Sequence, residues 1–226
     1  MLSKLTGIYM KLILSCIASM LLTSATGPAA ASLILPVIPY PIEAPADARQ
    51  FAGTIELTAL KGTDLYANTD GTEHADNTAR VLFTPVGDFI FSAKVTGAFK
   101  DAYEGGALIV YADANNWIKL LFENPKSGKP GISSTVSKGG IGDDAHHGAT
   151  GGNAIHLKIA RLKQMYVLYT SSDGLTWNMV RTVGLPSTAP VRIGLSAQSP
   201  VGPQFKAQFS DLRFRSATFK DYWQGE

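Results

Sequence analysis

The chain has very little cysteine: Cys16 is the only one among 226 residues. If the N-terminal segment that contains it is removed, the rest of the protein can form no disulfide, no thiolate metal site and no cysteine nucleophile. The sequence also lacks a convincing helical stripe of apolar residues. These two absences exclude a disulfide scaffold, a zinc–thiolate domain and a helical bundle.

Residues 1–31 have the pattern of a signal peptide. Lys4 and Lys11 precede the apolar run 12–22, and Ala29-Ala30-Ala31 offers the small residues that signal peptidase requires. The run is shorter than the ~20 residues of a membrane-spanning helix. The pattern predicts export, as a secreted or periplasmic protein, with no stable membrane insertion after cleavage.

Two alternatives concern the same segment. Translation could begin at Met10, because Met10-Lys11-Leu12 is itself a good signal-peptide start. A lipoprotein signal at Cys16 is less favoured, because Leu14 fits that pattern poorly and the apolar run continues beyond the cysteine.

Charge gives no sign of a nucleic-acid partner. The chain has 20 Lys and Arg against 18 Asp and Glu. Without Lys4 and Lys11 the counts are 18 and 18, so the basic excess belongs to the predicted signal. About 195 residues then remain, which is enough for one sizeable core.

The remaining chain divides into a Pro-rich lead-in (32–50), a strand-rich domain (51–216) and a short C-terminal tail (217–226). In the domain, short runs with period-2 alternation are separated by Gly, Asn, Asp and Pro, which is typical of an all-β antiparallel sandwich or barrel. The predicted strands are 53–60, 80–84, 89–96, 107–112, 117–124, 131–137, 154–162, 165–170, 177–183, 191–197 and 205–215.

The most informative stretch is 103–124, which reads as a β-hairpin around the turn 113–116. In its second arm Ile118, Leu120 and Phe122 point one way, toward a core. The other parity consists of Trp117, Lys119, Leu121 and Glu123. Because a core rejects unpaired charge, the second face is where we look for function.

These residues resemble a known family. The resemblance is to the "regulation of enolase" domain family of the concanavalin A-like lectin/glucanase superfamily, and it covers roughly 63–214. The segments that carry it are Gly87-Asp88-Phe89, Ala93-Lys94-Val95, Tyr103 with Gly105-Gly106-Ala107-Leu108, Ala112-Asp113, Asn116-Trp117-Ile118-Lys119, Glu123, Tyr169-Thr170-Ser171, Asp173-Gly174, Trp177, Gly194-Leu195, Ala197-Gln198-Ser199-Pro200 and Phe209-Ser210-Asp211.

The resemblance implies a jelly-roll sandwich of two antiparallel sheets, whose concave face commonly meets carbohydrate in that superfamily. The chain departs from the family pattern after the 131–136 strand. There it carries Gly142-Asp143-Asp144 and His146-His147 in place of the usual Ser-Asp-Trp, so an expected aromatic wall is missing.

A carbohydrate-binding face is the first functional hypothesis. Sugars bind an aromatic plane together with hydrogen-bonding groups, and strand alternation places both types opposite the predicted core. The predicted ligand-binding residues are Tyr111, Trp117, Lys119, Glu123, His156, Arg192 and Gln198. A plain solvated sheet face gives the same alternation and stays open as an alternative.

A glycan-cleaving enzyme, either a glycoside hydrolase or a lyase, is the second hypothesis. Lys119 and Glu123 lie ~13 Å apart along one strand and cannot act as a direct pair. Glu123 therefore needs a second acidic residue from elsewhere, with Asp113, Asp143 and Asp144 as candidates. The third hypothesis is a non-catalytic structural or interaction domain.

No cofactor is predicted. Asp143, Asp144, His146 and His147 lie in a long glycine-rich loop, 138–152, and have atoms that bind divalent metals. Adjacent histidines do not easily reach one tetrahedral site, so they are weak candidates only. The turn 113–116 offers oxygen ligands for a structural calcium, although a polar hairpin turn also explains its composition.

Overall fold

The computed structural model describes residues 33–126, 128–185, 187 and 190–226, and the predicted signal peptide with Cys16 lies outside these ranges. Within them there is no helix, and hence none that could cross a membrane. The strands are β1 (Ile42–Glu43), β2 (Arg49–Phe51), β3 (Thr54–Leu60), β4 (Leu65–Ala67), β5 (His74–Asp76), β6 (Ala79–Phe83), β7 (Phe89–Gly97), β8 (Gly105–Asp113), β9 (Asn116–Glu123), β10 (Gly131–Lys138), β11 (Ile141–Ala149), β12 (Ala154–Leu162), β13 (Met165–Ser171), β14 (Asn178–Gly184), β15 (Arg192–Gln198) and β16 (Gln204–Arg215).

Two seven-stranded antiparallel sheets pack face to face, which confirms the predicted jelly-roll sandwich. The front sheet has the order β1-β6-β15-β8-β9-β10-β11. The back sheet has the order β14-β13-β12-β7-β16-β3-β2. Strands β4 and β5 pair only with each other and form a separate small hairpin, the β4–β5 hairpin.

The core lies between the sheets and follows the predicted parity of β9. Ile118, Leu120 and Phe122 are fully buried in the same apolar cluster as Leu157 and Phe209 of the back sheet. Full burial of an apolar side chain of this size stabilises the fold by about 1.5–3 kcal/mol. The alternation read from the hairpin therefore identifies the inner face of the front sheet.

Residues 33–50 are packed onto the sandwich. Leu35, Ile38 and Ala48 are buried in the main core cluster. β1 extends the front sheet next to β6, and β2 extends the back sheet next to β3. The segment expected as a lead-in therefore contributes to both sheets.

The prediction of an irregular loop over 138–152 is wrong, because most of it is the edge strand β11. Gly139 and Gly140 have φ values of 61° and 82° and form the tight turn from β10. β11 then pairs with β10, with Thr135 opposite Asp144. An edge strand tolerates a polar, glycine-rich sequence because water reaches much of its surface.

The β4–β5 hairpin covers part of the outer face of the front sheet. Leu65 and Ala67 are buried against Ile109, Trp117 and Leu121 in an apolar cluster separate from the main core. The hairpin also reaches β11, since the Gly142 amide donates to the Asn68 carbonyl at 2.9 Å. A second apolar layer therefore lies on the face that strand alternation marks as polar.

The C-terminal segment, residues 217–226, lies on the outer face of the back sheet. Phe219 is buried there with Ile90, Tyr169 and Trp177. The Tyr169 hydroxyl donates to the Tyr222 carbonyl at 2.6 Å. Both sheets are thus partly covered on their outer faces, the front by a hairpin and the back by this segment.

Candidate functional site

A cleft of about 400 Å³ opens on the outer face of the front sheet, beside the β4–β5 hairpin. We call it the Glu123 cleft. Its floor comes from β9, β10 and β15, and its walls come from the hairpin, β11 and the segment before β8. The lining residues are Asp64, Tyr66, Tyr103, Lys119, Leu121, Glu123, Ser133, Thr135, Asp144, His146 and Gln198.

Glu123 is the most buried carboxyl of the cleft, at 4% exposed. The Ser133 hydroxyl donates to its Oε1 at 2.5 Å, and His146 Nδ1 lies 3.8 Å from the same oxygen. Burial raises the pKa of Glu123, and the Ser133 hydrogen bond and the charge of Lys119 oppose this only in part. The site therefore holds a carboxyl that retains its proton above the usual pH range.

A row of polar groups continues from Glu123 across β10 to β11. Ser133 Oγ lies 2.8 Å from His146 Nδ1, a contact that is satisfied when Nδ1 carries the proton and donates. The Thr135 hydroxyl donates to Asp144 Oδ1 at 2.5 Å, and Asp144 Oδ2 lies 4.0 Å from His146 Nε2. Two acidic groups, two hydroxyls and an imidazole thus meet in one cleft.

Lys119 is a structural cation in the floor of the cleft. Its buried ammonium donates to the Leu65 carbonyl at 2.5 Å, to Gln198 Oε1 at 2.9 Å and to Asp64 Oδ1 at 3.4 Å. The contacts join β9, β15 and the start of the β4–β5 hairpin. Lys119 therefore fixes one wall of the cleft to its floor.

Two tyrosines of the cleft are absent from the sequence prediction. Tyr66 is 36% exposed and Tyr103 is 38% exposed, so each offers part of a ring to solvent. Tyr103 has φ 64°, in the left-handed region that is costly for a non-glycine residue. Tyr66 lies on a three-residue strand and Tyr103 just before β8, so strand alternation gives no signal for either.

Trp117 does not form the expected aromatic platform. It is fully buried beneath the β4–β5 hairpin, and its Nε1 donates to the Ala114 carbonyl at 3.2 Å. A ring without an exposed face cannot stack on a sugar. Parity placed Trp117 on the correct side of the sheet, but the hairpin that covers it comes from a distant part of the sequence.

Tyr111 and Arg192 lie together, but outside the Glu123 cleft. The guanidinium groups of Arg80 and Arg192 both lie against the Tyr111 ring, at 4.7 and 4.9 Å from its centroid. Its hydroxyl donates to Asp76 Oδ2 at 2.7 Å. These residues line a separate, shallower depression on the front sheet.

His156 lies on the other sheet. It belongs to β12, and its ring packs edge-on to Trp177, with centroids 6.5 Å apart. Burial lowers its pKa. His156 therefore cannot share a ligand with Glu123, and its inclusion among the predicted residues of one ligand-binding face is wrong.

Strand alternation also separates the predicted metal ligands of β11. Asp144 and His146 face the cleft, whereas Asp143 pairs with Arg181 at 2.8 Å and His147 contacts Ser134. Among the described residues, no group of three or more His, Cys, Asp or Glu side chains is placed to hold a metal ion. Of the two acidic neighbours, only Asp144 is available to Glu123.

Asp113 lies at the far end of the hairpin from Glu123. The register pairs Asp113 with Asn116, seven residues before Glu123, or roughly 23 Å along an extended strand. Its Oδ1 accepts from the Asn115 amide at 2.8 Å and from Asn116 Nδ2 at 2.9 Å. Asp113 therefore orders the turn and is not a catalytic partner of Glu123.

The chain matches one described family and several known proteins. Residues 42–217 match the family described as "Protein of unknown function (DUF1349)". The chain is 27% identical over 165 residues to "Regulation of enolase protein 1" of Saccharomyces cerevisiae, which covers 72% of the chain and 81% of that protein.

Solved structures share the fold. A functionally unknown protein from Saccharomyces cerevisiae has a TM-score of 0.68 at 23% identity, covering 77% of this chain and 94% of that one. A xylan beta-1,4-xylosidase from Bacillus halodurans has a TM-score of 0.60 at 16% identity over 72% of this chain. The match spans only 33% of the xylosidase, so it concerns one sandwich within a larger enzyme.

The prediction of export is wrong by these comparisons. A protein named for the regulation of enolase and a solved structure of unknown function, each matched over most of its own length, are yeast proteins. Residues 1–31, on which the prediction was based, lie outside the described ranges.

Proposed function

The chain belongs to the DUF1349 family, and from this premise and the geometry of the Glu123 cleft we propose that it is a carbohydrate-binding domain. The observation that carries the proposal is the combination of two partly exposed tyrosines with carboxyl, hydroxyl, amide and imidazole groups in one cleft. Its volume of about 400 Å³ lies in the usual range for small-ligand sites.

The chemistry of the walls fits a sugar. The C–H face of a pyranose packs on an aromatic ring, and its hydroxyls need both donors and acceptors. Tyr66 and Tyr103 offer the rings, while Asp144, His146 and Gln198 offer the polar groups. The xylan xylosidase that shares the sandwich adds support, because that enzyme acts on a glycan.

Replacing Tyr103 with alanine is expected to weaken binding of the best-retained glycan by about tenfold, as is replacing Tyr66, because each substitution removes one ring surface. The measurement is titration calorimetry after a screen against a panel of polysaccharides. Trp223→Ala is the matched control, because Trp223 is an exposed aromatic residue on the C-terminal segment, on the outer face of the back sheet.

The control should bind with unchanged affinity. Equal affinities for the wild-type protein, the two tyrosine variants and the control would show that the tyrosines are not part of the site. If the panel retains nothing, the carbohydrate proposal fails and a structural or interaction domain becomes the better description.

A glycan-cleaving activity is the second candidate, and Glu123 is the observation that favours it. A buried carboxyl with a raised pKa is suited to act as a general acid at neutral pH. Asp144 supplies a second acidic group in the same cleft. The Ser133 hydroxyl, between Glu123 and His146, supplies a hydrogen-bonded route by which the acid could regain a proton from solvent.

If the domain cleaves a glycan, Glu123→Gln is expected to reduce the rate of reducing-end release by at least a hundredfold. The matched control is Glu56→Gln, since Glu56 is a buried carboxyl on β3 of the back sheet, remote from the cleft. Full activity of the Glu123 variant would exclude it as the acid.

The same pair gives a pH test of stability. Because the pKa of Glu123 is raised, the native state binds its proton more tightly than the unfolded state, and this contribution to stability is lost as pH rises above the ordinary carboxyl range. The Glu123→Gln variant should not show this loss of stability as pH rises. Glu56 has a lowered pKa, so its contribution is instead lost as pH falls.

A further inference from the structure

The charges of the Glu123 cleft favour a particular class of sugar. Three carboxyl groups line it; Glu123 keeps its proton to higher pH, so the negative charge comes from Asp64 and Asp144, against one lysine and one histidine. The tyrosine rings and polar groups define the cleft as a site; the charge balance concerns only which ligand the site accepts. The inference about the class of sugar therefore rests on the proposed function.

The single lysine is not available to an anionic ligand. An ammonium group has three protons to donate, and Lys119 has three acceptors within the protein: Leu65 O, Gln198 Oε1 and Asp64 Oδ1. It is also 3% exposed. The Lys119 ammonium therefore uses its protons to bind the floor and the hairpin wall. A uronate carboxylate that enters the cleft would find no ammonium proton left to accept.

The rim of the cleft is acidic as well. The pKa of Tyr66 is raised by burial and then by the negative charges of Glu73, Asp144, Asp64 and Asp70. These groups come from the β4–β5 hairpin region and from β11, on two sides of the opening. Carboxylates therefore lie on two sides of the opening, where they disfavour the entry of an anionic ligand.

The cleft also has the groups that hold a cationic amine. The Asp144 side chain is 38% exposed; its Oδ1 accepts from Thr135, while its Oδ2 lies 4.0 Å from His146 Nε2, too far for a hydrogen bond. The partly exposed side chains of Tyr66 and Tyr103 offer aromatic rings, whose faces attract cations. Carboxylates beside aromatic faces are a suitable environment for an ammonium group on a sugar ring.

We infer that the Glu123 cleft selects oligosaccharides that carry free amino groups, such as glucosamine oligomers, over their N-acetylated counterparts and over uronate oligomers. The amine forms an ion pair with Asp144 while the sugar ring packs on a tyrosine. Uronates are disfavoured by the acidic walls and rim.

The test compares three hexasaccharides by calorimetry at about pH 6 and low salt: one of glucosamine, its N-acetylated counterpart, and one of galacturonate. The glucosamine oligomer is expected to bind at least tenfold more tightly than the acetylated one, and the uronate most weakly. At about 0.5 M NaCl the preference should fall severalfold, because salt screens exposed charges.

A pair of neighbouring residues gives the matched variants. Asp144→Asn should reduce the affinity for the glucosamine oligomer by about fivefold more than the affinity for the acetylated sugar. Asp143→Asn should change neither, because Asp143 faces the other side of β11 and pairs with Arg181.

The outcomes separate the two proposals. Equal binding of the amino and acetylated sugars, tighter binding of the uronate, or a preference insensitive to salt would overturn the inference while leaving carbohydrate binding in place. Failure of all three probes to bind, together with an empty polysaccharide panel, would overturn the proposed function itself.

Discussion

Replacing Trp117 with alanine is expected to lower the free energy of unfolding by about 3–5 kcal/mol, the usual cost of truncating a buried tryptophan. The side chain is fully buried between the front sheet and the β4–β5 hairpin, where it contacts an apolar cluster that includes Leu65 and Leu121. Its removal leaves a cavity in that cluster. Urea unfolding followed by circular dichroism measures the change.

Trp223→Ala is the control for this experiment, because Trp223 is 65% exposed. It should change the free energy of unfolding by less than about 0.5 kcal/mol. A loss of less than about 1 kcal/mol for Trp117→Ala would contradict the buried placement and return Trp117 to the list of surface residues that could touch a ligand.

Deleting the C-terminal segment, residues 217–226, is expected to lower the free energy of unfolding by about 2–4 kcal/mol. The deletion removes the buried Phe219 and uncovers Ile90, Tyr169 and Trp177, each of which loses apolar burial. Urea unfolding measures this loss too, and increased binding of a hydrophobic dye should report the uncovered face.

Lys158 provides a sharper test of how the segment is attached. Its buried ammonium donates to the carbonyls of Gln224 at 2.9 Å and Gly225 at 3.2 Å and pairs with Glu226, and it lies 4.0 Å from the centre of the Trp177 ring. Lys158→Met removes the donor but keeps the length of the side chain. In the full chain it should cost about 1–3 kcal/mol, because the acceptors lose their partner.

In the shortened chain the same substitution should cost almost nothing, since the acceptors are gone and water reaches the ammonium. The deletion and Lys158→Met should therefore be strongly non-additive, as expected for residues in direct contact. Additive effects within about 0.5 kcal/mol would show that the segment does not depend on Lys158.

The alternation of β9 predicted which of its side chains enter the core, because Ile118, Leu120 and Phe122 needed only an opposing sheet to bury them. The jelly-roll sandwich itself was implied by the family resemblance. The same alternation could not predict what lies on the other face. Leu65 and Ala67 belong to a three-residue strand with no periodicity to detect. They nevertheless cover Trp117 and bury it in a second apolar cluster.

The sequence allowed prediction of the cleft residues that lie on strands of the front sheet, but not of those that reach the cleft from the connecting segments and the small hairpin. Lys119, Glu123 and Gln198 meet because neighbouring strands of one sheet carry them. His156 has the same alternation but belongs to the other sheet, which no local pattern reveals. Tyr66 and Tyr103 reach the cleft through chain reversals whose geometry depends on distant contacts.

The β4–β5 hairpin links the stability of one region to the occupancy of another. Leu65 and Ala67 hold it to the sheet, while Asp64 and Tyr66, beside them in the sequence, form a wall of the Glu123 cleft. Any local opening that exposes the Trp117 indole to solvent therefore also dismantles the cleft. A bound ligand should raise the free energy of that opening by RT ln(1 + [L]/Kd). Slower hydrogen exchange at the buried Trp117 indole would therefore measure ligand binding in the Glu123 cleft.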